Sequence, residues 1–108
     1  MEIETQDLGG AMVVRVSGEV DMSNSPAFRE ALMSLTKQKV PAIVVDLGSV
    51  SYMDSSGIAT LVEGLQEASG YGGKFRIASL TPKVHQVFEL ARLTDVVEIF
   101  SDVSGAQE

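Results

Sequence analysis

Asp54-Ser55-Ser56-Gly57 brings an acid, two adjacent hydroxyls and a glycine together between an apolar run and a stretch with helical spacing. A serine in that setting could attack a substrate, hold a phosphate or receive one. Attack requires a positioned base, and the single histidine, His85, falls in a different helical segment. Neither serine sits in a G-x-S-x-G turn, and no Ser-Lys pairing has support, so no catalytic residue and no enzyme is expected. Phosphate holding is equally poorly served, because neither G-x-x-x-x-G-K-[ST] nor G-x-G-x-x-G occurs. A phosphoacceptor needs only exposure, since the modifying kinase brings the base. The plainer reading is that Asp54 or Ser55 simply caps a helix, for which both types are preferred. Spacing leaves both readings open.

The elements that must present this stretch follow from periodicity and turn chemistry. Segments 1–8 and 11–17 read as strands joined at Gly9-Gly10, a pair that accepts the positive φ of a tight hairpin. In the second strand Met12, Val14 and Val16 share one face, opposite Val13, Arg15 and Ser17. Residues 18–21, Gly-Glu-Val-Asp, read as a loop into a helix over 23–39 with Ser23 or Ser25 as N-cap, Pro26 in first position and Phe28, Ala31, Leu32 and Leu35 as its apolar stripe. Ala42 to Leu47 reads as a central strand covered on both faces, with 48–57 as the loop leaving it.

Ile58, Leu61, Val62, Leu65 and Ala68 predict the next helix, with Gly70 at its end. Its other face carries Ser56, Thr60 and Gly64, small residues that a partner backbone could approach closely. A glycine inside an exposed helix costs about 1 kcal/mol relative to alanine, so Gly64 calls for either a partner or tight packing within the chain. A strand over 74–79 and a helix over 81–93, capped by Thr81 with Pro82 first and Val84, Val87, Phe88 and Ala91 inward, follow. Residues 96–100 add a short strand. The pattern predicts one α/β domain over 1–100 with a mixed sheet of four to five strands and an N-terminal antiparallel hairpin, then a short polar tail over 101–108 that frays.

Composition narrows the partners. The 108 residues carry eight Lys or Arg against fifteen Asp or Glu, a formal net charge of −7. Polyanion binding is disfavoured, so neither nucleic acid nor an anionic membrane is an expected partner. There is no cysteine, which removes disulfides and thiolate metal sites. His85 has no ligating neighbours, and no metal or other cofactor is expected. Phe28, Phe75, Phe88 and Phe100 read as core anchors. No apolar run approaches the roughly 20 residues of a membrane span, and the acidic start is unlike a signal peptide, so the expected place is the cytoplasm.

Three features together carry a family likeness: Asp54-Ser55-Ser56-Gly57 after Val44-Val45-Asp46-Leu47, the turn Gly18-Glu19-Val20-Asp21, and Gly72-Gly73 four residues before Ile77. Over nearly its whole length the chain resembles the STAS domain of bacterial anti-sigma factor antagonists. The resemblance implies a partner switch. The unphosphorylated antagonist binds an anti-sigma factor that is also a serine kinase, with an ATP-binding fold of the histidine-kinase type, and so frees a sigma factor; phosphorylation ends binding and a serine phosphatase restores it. It also implies that Ser55 is the phosphoacceptor, that Ser56 matches the hydroxyl position after it and that Asp21 takes part in the contact with the kinase; with Asp54 and the small residues Gly57, Thr60 and Gly64 of the following helix these make the expected partner-binding surface. The alternative is a constitutive STAS scaffold or regulatory subunit in which Ser55 only caps. Many relatives end in a further amphipathic helix, for which 101–108 has few apolar residues.

Overall fold

The computed structural model describes residues 1–107. Gly9 and Gly10 adopt φ of +70° and +113° and close the expected hairpin. It joins β1 (Glu2–Asp7) to β2 (Met12–Val20), with Asp7 opposite Met12. β2 pairs in parallel with β3 (Ala42–Met53), β3 with β4 (Lys74–Ala78) and β4 with β5 (Glu98–Phe100), giving one mixed sheet in the order β1-β2-β3-β4-β5. Between the parallel strands run α1 (Ser25–Lys37), α2 (Ser55–Gly70) and α3 (Pro82–Leu90), the last followed by a 3-10 turn at Leu93–Asp95.

Alternation along the strands builds two unequal cores. Val14, Val16, Ile43, Val45, Phe75 and Ile77 point to one side, where α1, α2 and α3 bury them with Phe28, Leu32, Leu61 and Phe88. Val13, Val44 and Ala78 point to the other, where a short helix α4 (Val103–Gln107) lays Ala106 on them. β3 is therefore apolar on both faces, as its continuous run requires.

Several boundaries differ from the sequence reading. β2 continues through Gly18, Glu19 and Val20, so the loop begins only at Asp21. β3 likewise continues to Met53 through most of the expected loop over 48–57. The reason is a pair of register shifts: Arg15 and Ser17 face Asp46 and Ser49, and Gly18 and Glu19 face Val50 and Tyr52. Each shift puts one extra residue into β3, as a β-bulge does, and the buried residues Leu47, Val50 and Met53 fall every third position, hiding the strand period.

The N-cap of α1 is Asn24, not Ser23 or Ser25, and Pro26 is its second residue. The Asn24 side chain serves the loop instead, with Oδ1 accepting from the Asp21 N–H at 3.0 Å and Nδ2 donating to the Glu19 carbonyl at 2.9 Å. Gly70 is the last residue of α2 and Gly72, at φ +79°, makes the left-handed turn. β4, α3 and β5 are each shorter than expected, so Ser79 and Val96 lie outside their strands and the exposed Ala91 caps α3 rather than packing.

The tail does not fray over 103–107. Asp102 starts α4 by accepting the Gly105 N–H at 2.7 Å, Ala106 is fully buried, and Arg76 Nη1 donates to the Ala106 carbonyl at 2.9 Å. Ala106, the partly buried Val103 and the carbonyl taken by Arg76 dock the helix where a longer amphipathic stripe is lacking. Glu108, the end of the expected tail, lies outside the described residues.

Candidate functional site

β3 ends beside β2, and the Asp54 N–H donates to the Val20 carbonyl at 3.1 Å, which fixes the turn at the carboxyl edge of the sheet. Asp54 is extended (φ −97°, ψ −173°) and is the N-cap of α2, as one of the two sequence alternatives has it. Its Oδ1 accepts from the Ser56 N–H at 2.9 Å, the Ser56 hydroxyl at 2.5 Å and, more loosely, the Gly57 N–H at 3.4 Å. The carboxyl is held below the usual carboxylate range, chiefly by the Ser56 hydroxyl. Partial burial opposes the shift, and the backbone N–H groups of Ser56, Gly57 and Met22 add to it.

The two hydroxyls consequently differ. Ser56 is half-buried and its hydroxyl proton is committed to Asp54. Ser55 is exposed, and no hydrogen bond from its hydroxyl is found among the described residues. It stands at the positive end of a 16-residue helix in which the Ser56 and Gly57 N–H groups already face Asp54.

Asp21 reaches the same edge of the sheet from the end of β2. It is half-buried, and its Oδ1 accepts from the Ser23 N–H at 2.9 Å and the Ser23 hydroxyl at 2.5 Å. Asp21, Asp54, Ser55 and Ser56 are thus available at one surface.

Gly57, Thr60 and Gly64 are not, and the docking face expected from them is corrected: all three are buried. A Cβ on Gly57 would come within 2.6 Å of Met53 Cγ and 3.0 Å of Val20 Cγ1, and one on Gly64 within 2.9 Å of Phe75 Cε2. The Thr60 hydroxyl turns back to the Ser56 carbonyl at 3.0 Å. The physical reason is that α2 packs on both β4 and α1, so two of its faces are inward and the small residues mark close internal approach. Of the two explanations for Gly64, packing within the chain is the one realised.

Sequence reasoning passed over two residues beside the turn, Met22 and Tyr52, whose large apolar side chains are exposed. An unpaired methionine inside the polar run Asp-Met-Ser-Asn-Ser was the available signal. His85 is half-buried on α3 with Nδ1 2.7 Å from a Glu89 carboxylate oxygen. Among the described residues no group of three or more His, Asp or Glu is arranged to hold a metal ion, and no helix is long and apolar enough to cross a membrane.

A family model describing the STAS domain matches residues 2–106, including the turn and α4. The chain belongs to the STAS domain family. Among STAS proteins it is similar to the anti-sigma-B factor antagonist of Bacillus subtilis strain 168, with 29% identity over 92 residues that cover 85% of this chain and 84% of that one. It is also similar to the crystal structure of an anti-sigma factor antagonist from Mycobacterium paratuberculosis, at a TM-score of 0.91 and 26% identity over 98% of this chain and 90% of that one. The Bacillus cell fate determinant SpoIIAA in its phosphorylated form matches in fold, with a TM-score of 0.77 at 18% identity over 98% and 97% of the two chains. The family and the mixed α/β architecture expected from the sequence are both borne out.

Proposed function

We propose that this STAS domain is an anti-sigma factor antagonist of a partner-switching system. Unphosphorylated, it binds an anti-sigma factor serine kinase and so releases a sigma factor; phosphorylated on Ser55, it lets the kinase go, and a serine phosphatase resets it. The observation that carries the reading is the unequal pair of hydroxyls: Ser55 exposed and unbonded at the head of α2, Ser56 tied to Asp54. A kinase base can take the proton of the free hydroxyl, whose oxygen then attacks the γ-phosphorus of ATP as the bond to ADP breaks. The domain contributes position and no catalysis of its own, and works in the cytoplasm.

The electrostatics give the switch its sign. Phosphorylation adds about −1.5 to −2 charges next to Asp54, which is already held ionised. The Ser56 and Gly57 N–H groups already point at the Asp54 carboxylate, so the new phosphate shares the helix start with an acid and stays at the surface. A partner surface that accepted a neutral hydroxyl there would meet a dianion. The contact residues retained in this reading are Asp21, Asp54 and Ser56 around Ser55.

Incubation with the cognate kinase and ATP, followed by peptide mass spectrometry, tests the assignment. Phosphate on Ser55 alone is the expected result; phosphate on Ser56, or none, overturns it.

A further inference from the structure

Four large apolar side chains are strongly exposed: Met22 at 77%, Tyr52 at 42%, Leu90 at 88% and Val96 at 63%. Single exposed apolar residues need no explanation. Leu90 and Val96 flank the 3-10 turn after α3, away in sequence and fold from the turn at Asp54. Met22, in the neighbouring turn at Asp21, and Tyr52, on the last residues of β3, lie beside that turn. Met22 lies two residues past Val20, whose carbonyl takes the Asp54 N–H at 3.1 Å, and Tyr52 lies two residues before Asp54 on β3, in register with Glu19 of β2.

Met22 is also held outward by its loop. On its two sides the Asp21 N–H donates to Asn24 Oδ1 and Ser23 donates twice to the Asp21 carboxylate, so the loop is pinned before and after Met22 while the side chain is in water. A preorganised backbone lowers the ordering cost of a contact made by such a side chain. Methionine adapts to irregular sockets, and tyrosine combines an apolar ring with a polar tip, which suits both to interfaces.

The charges around them select the occupant. Glu19 is the register partner of Tyr52, Asp21 adjoins Met22, Asp54 follows Tyr52 by two residues, and the chain carries −7 overall. A second copy would bring the same acids and be repelled, as would an anionic membrane or nucleic acid. The complement is a protein surface with an apolar socket and a rim of Lys or Arg. We infer that Met22 and Tyr52 are the apolar anchor by which this domain docks the serine kinase of the switch, in a cation-rimmed socket beside its active site. The inference rests on the proposed function and names the part of the surface that supplies affinity, whereas Ser55 supplies control.

The test titrates the full chain by calorimetry against each serine kinase of this class encoded in the same genome, purified singly. Met22→Ser and Tyr52→Ser are each expected to weaken binding about tenfold, and the double variant at least about thirtyfold, as hot-spot residues do. A Leu90→Ser, Val96→Ser double variant is expected to stay within about twofold, and thermal melts are run on every variant so that affinities are compared only between folded proteins. Raising salt should weaken wild type and anchor variants in the same proportion, since the acids are untouched. Unchanged affinity of the folded Met22, Tyr52 double variant where wild type binds would overturn the anchor and leave the switch standing. Salt-independent binding would overturn the cationic rim. If wild type bound none of the kinases, the proposed function would fall and the anchor with it; concentration-dependent self-association lost in the double variant would assign the patch to a second copy instead.

Discussion

The turns at Asp21-Met22-Ser23 and Asp54-Ser55-Ser56 are built alike. In each, one aspartate Oδ1 accepts from the N–H at 2.9 Å and the hydroxyl at 2.5 Å of the serine two residues on, and the residue between is exposed. They differ in how each joins its helix. Both aspartate carbonyls take the N–H groups three and four residues on, Asn24 and Ser25 at 3.1 and 2.8 Å, Gly57 and Ile58 at 3.2 Å, but only Asp54 is itself the N-cap of its helix, with its side chain on the first-turn N–H groups. After Ser23 the chain runs on to Asn24 before α1 starts, and no side chain caps that helix. The same local hydrogen bonds therefore hold a methionine away from a helix end in one case and a serine directly on it in the other. What separates an anchor from a modifiable position is the distance to the helix terminus, where a long helix fixes the residue in place and the field favours negative charge.

The largest expected effect separates Ser55 from every other residue of the two turns. Ser55→Asp should weaken kinase binding by about 100-fold or more, while Ser55→Ala keeps wild-type affinity and accepts no phosphate, both measured by titration and by mass spectrometry. Equal binding by all three forms would make the second turn a passive cap like the first, and would favour the constitutive scaffold. Next in size is Gly64→Ala, two turns along α2. Its Cβ would lie 2.9 Å from the Phe75 ring, so the ring or the helix must move, and urea denaturation should show a loss of about 1–3 kcal/mol. The Asp54 turn should show the displacement in its amide chemical shifts, and the Asp21 turn should not.

A smaller effect compares the two acids directly. Asp54→Ala removes the cap of a 16-residue helix and should lower the thermal midpoint by about 4 °C, whereas Asp21→Ala, which caps no helix, should lower it less. Asp54→Ala also frees the Ser56 hydroxyl, so kinase-treated protein should carry part of its phosphate on Ser56. Phosphate confined to Ser55 in that variant would show that the kinase, and not the Asp54 hydrogen bond, chooses the hydroxyl.

Most of the fold was legible from local chemistry: the Gly9-Gly10 hairpin, the Thr81-Pro82 helix start and the apolar run of β3 all fall where their residues require. The failures share a cause, which is that the deciding contact is far away in sequence. Residues 48–53 looked like loop because the bulges that realign Val50 and Met53 with the core are set by pairing with β2. Gly64 looked like a docking surface because nothing near it announces Phe75, and Ala106 looked like tail because the strip it covers is made by Val13, Val44 and Ala78. At the site, the acid and hydroxyls were visible from spacing, and the resemblance selected Ser55. The unequal burial and bonding of the two serines, which gives that choice a physical basis, depends on where the helix axis points after Asp54.

The smallest predicted effect concerns acid. The Asp54 carboxyl is lowered in the folded state chiefly by the Ser56 hydroxyl, so the folded protein binds its proton less readily than the unfolded chain does. Its contribution to stability is then present above the ordinary carboxylate range, near pH 4, and is lost as pH falls through the lower folded value. Protonation also makes Asp54 Oδ1 a weaker acceptor for the Ser56 and Gly57 N–H groups, and the first turn of α2 should loosen before the sheet does. Carbon-13 shifts of the Asp54 carboxyl should titrate below those of exposed aspartates, and amide exchange at Ser56 and Gly57, corrected for the intrinsic pH dependence, should quicken over the same range. In Asp54→Asn the exchange step should vanish while the hydrogen bonds of the Asp21 turn keep their own behaviour. If the step persisted in that variant, the acid sensitivity would belong to another carboxylate and the Asp54 turn would lose its claim to a distinct electrostatic state.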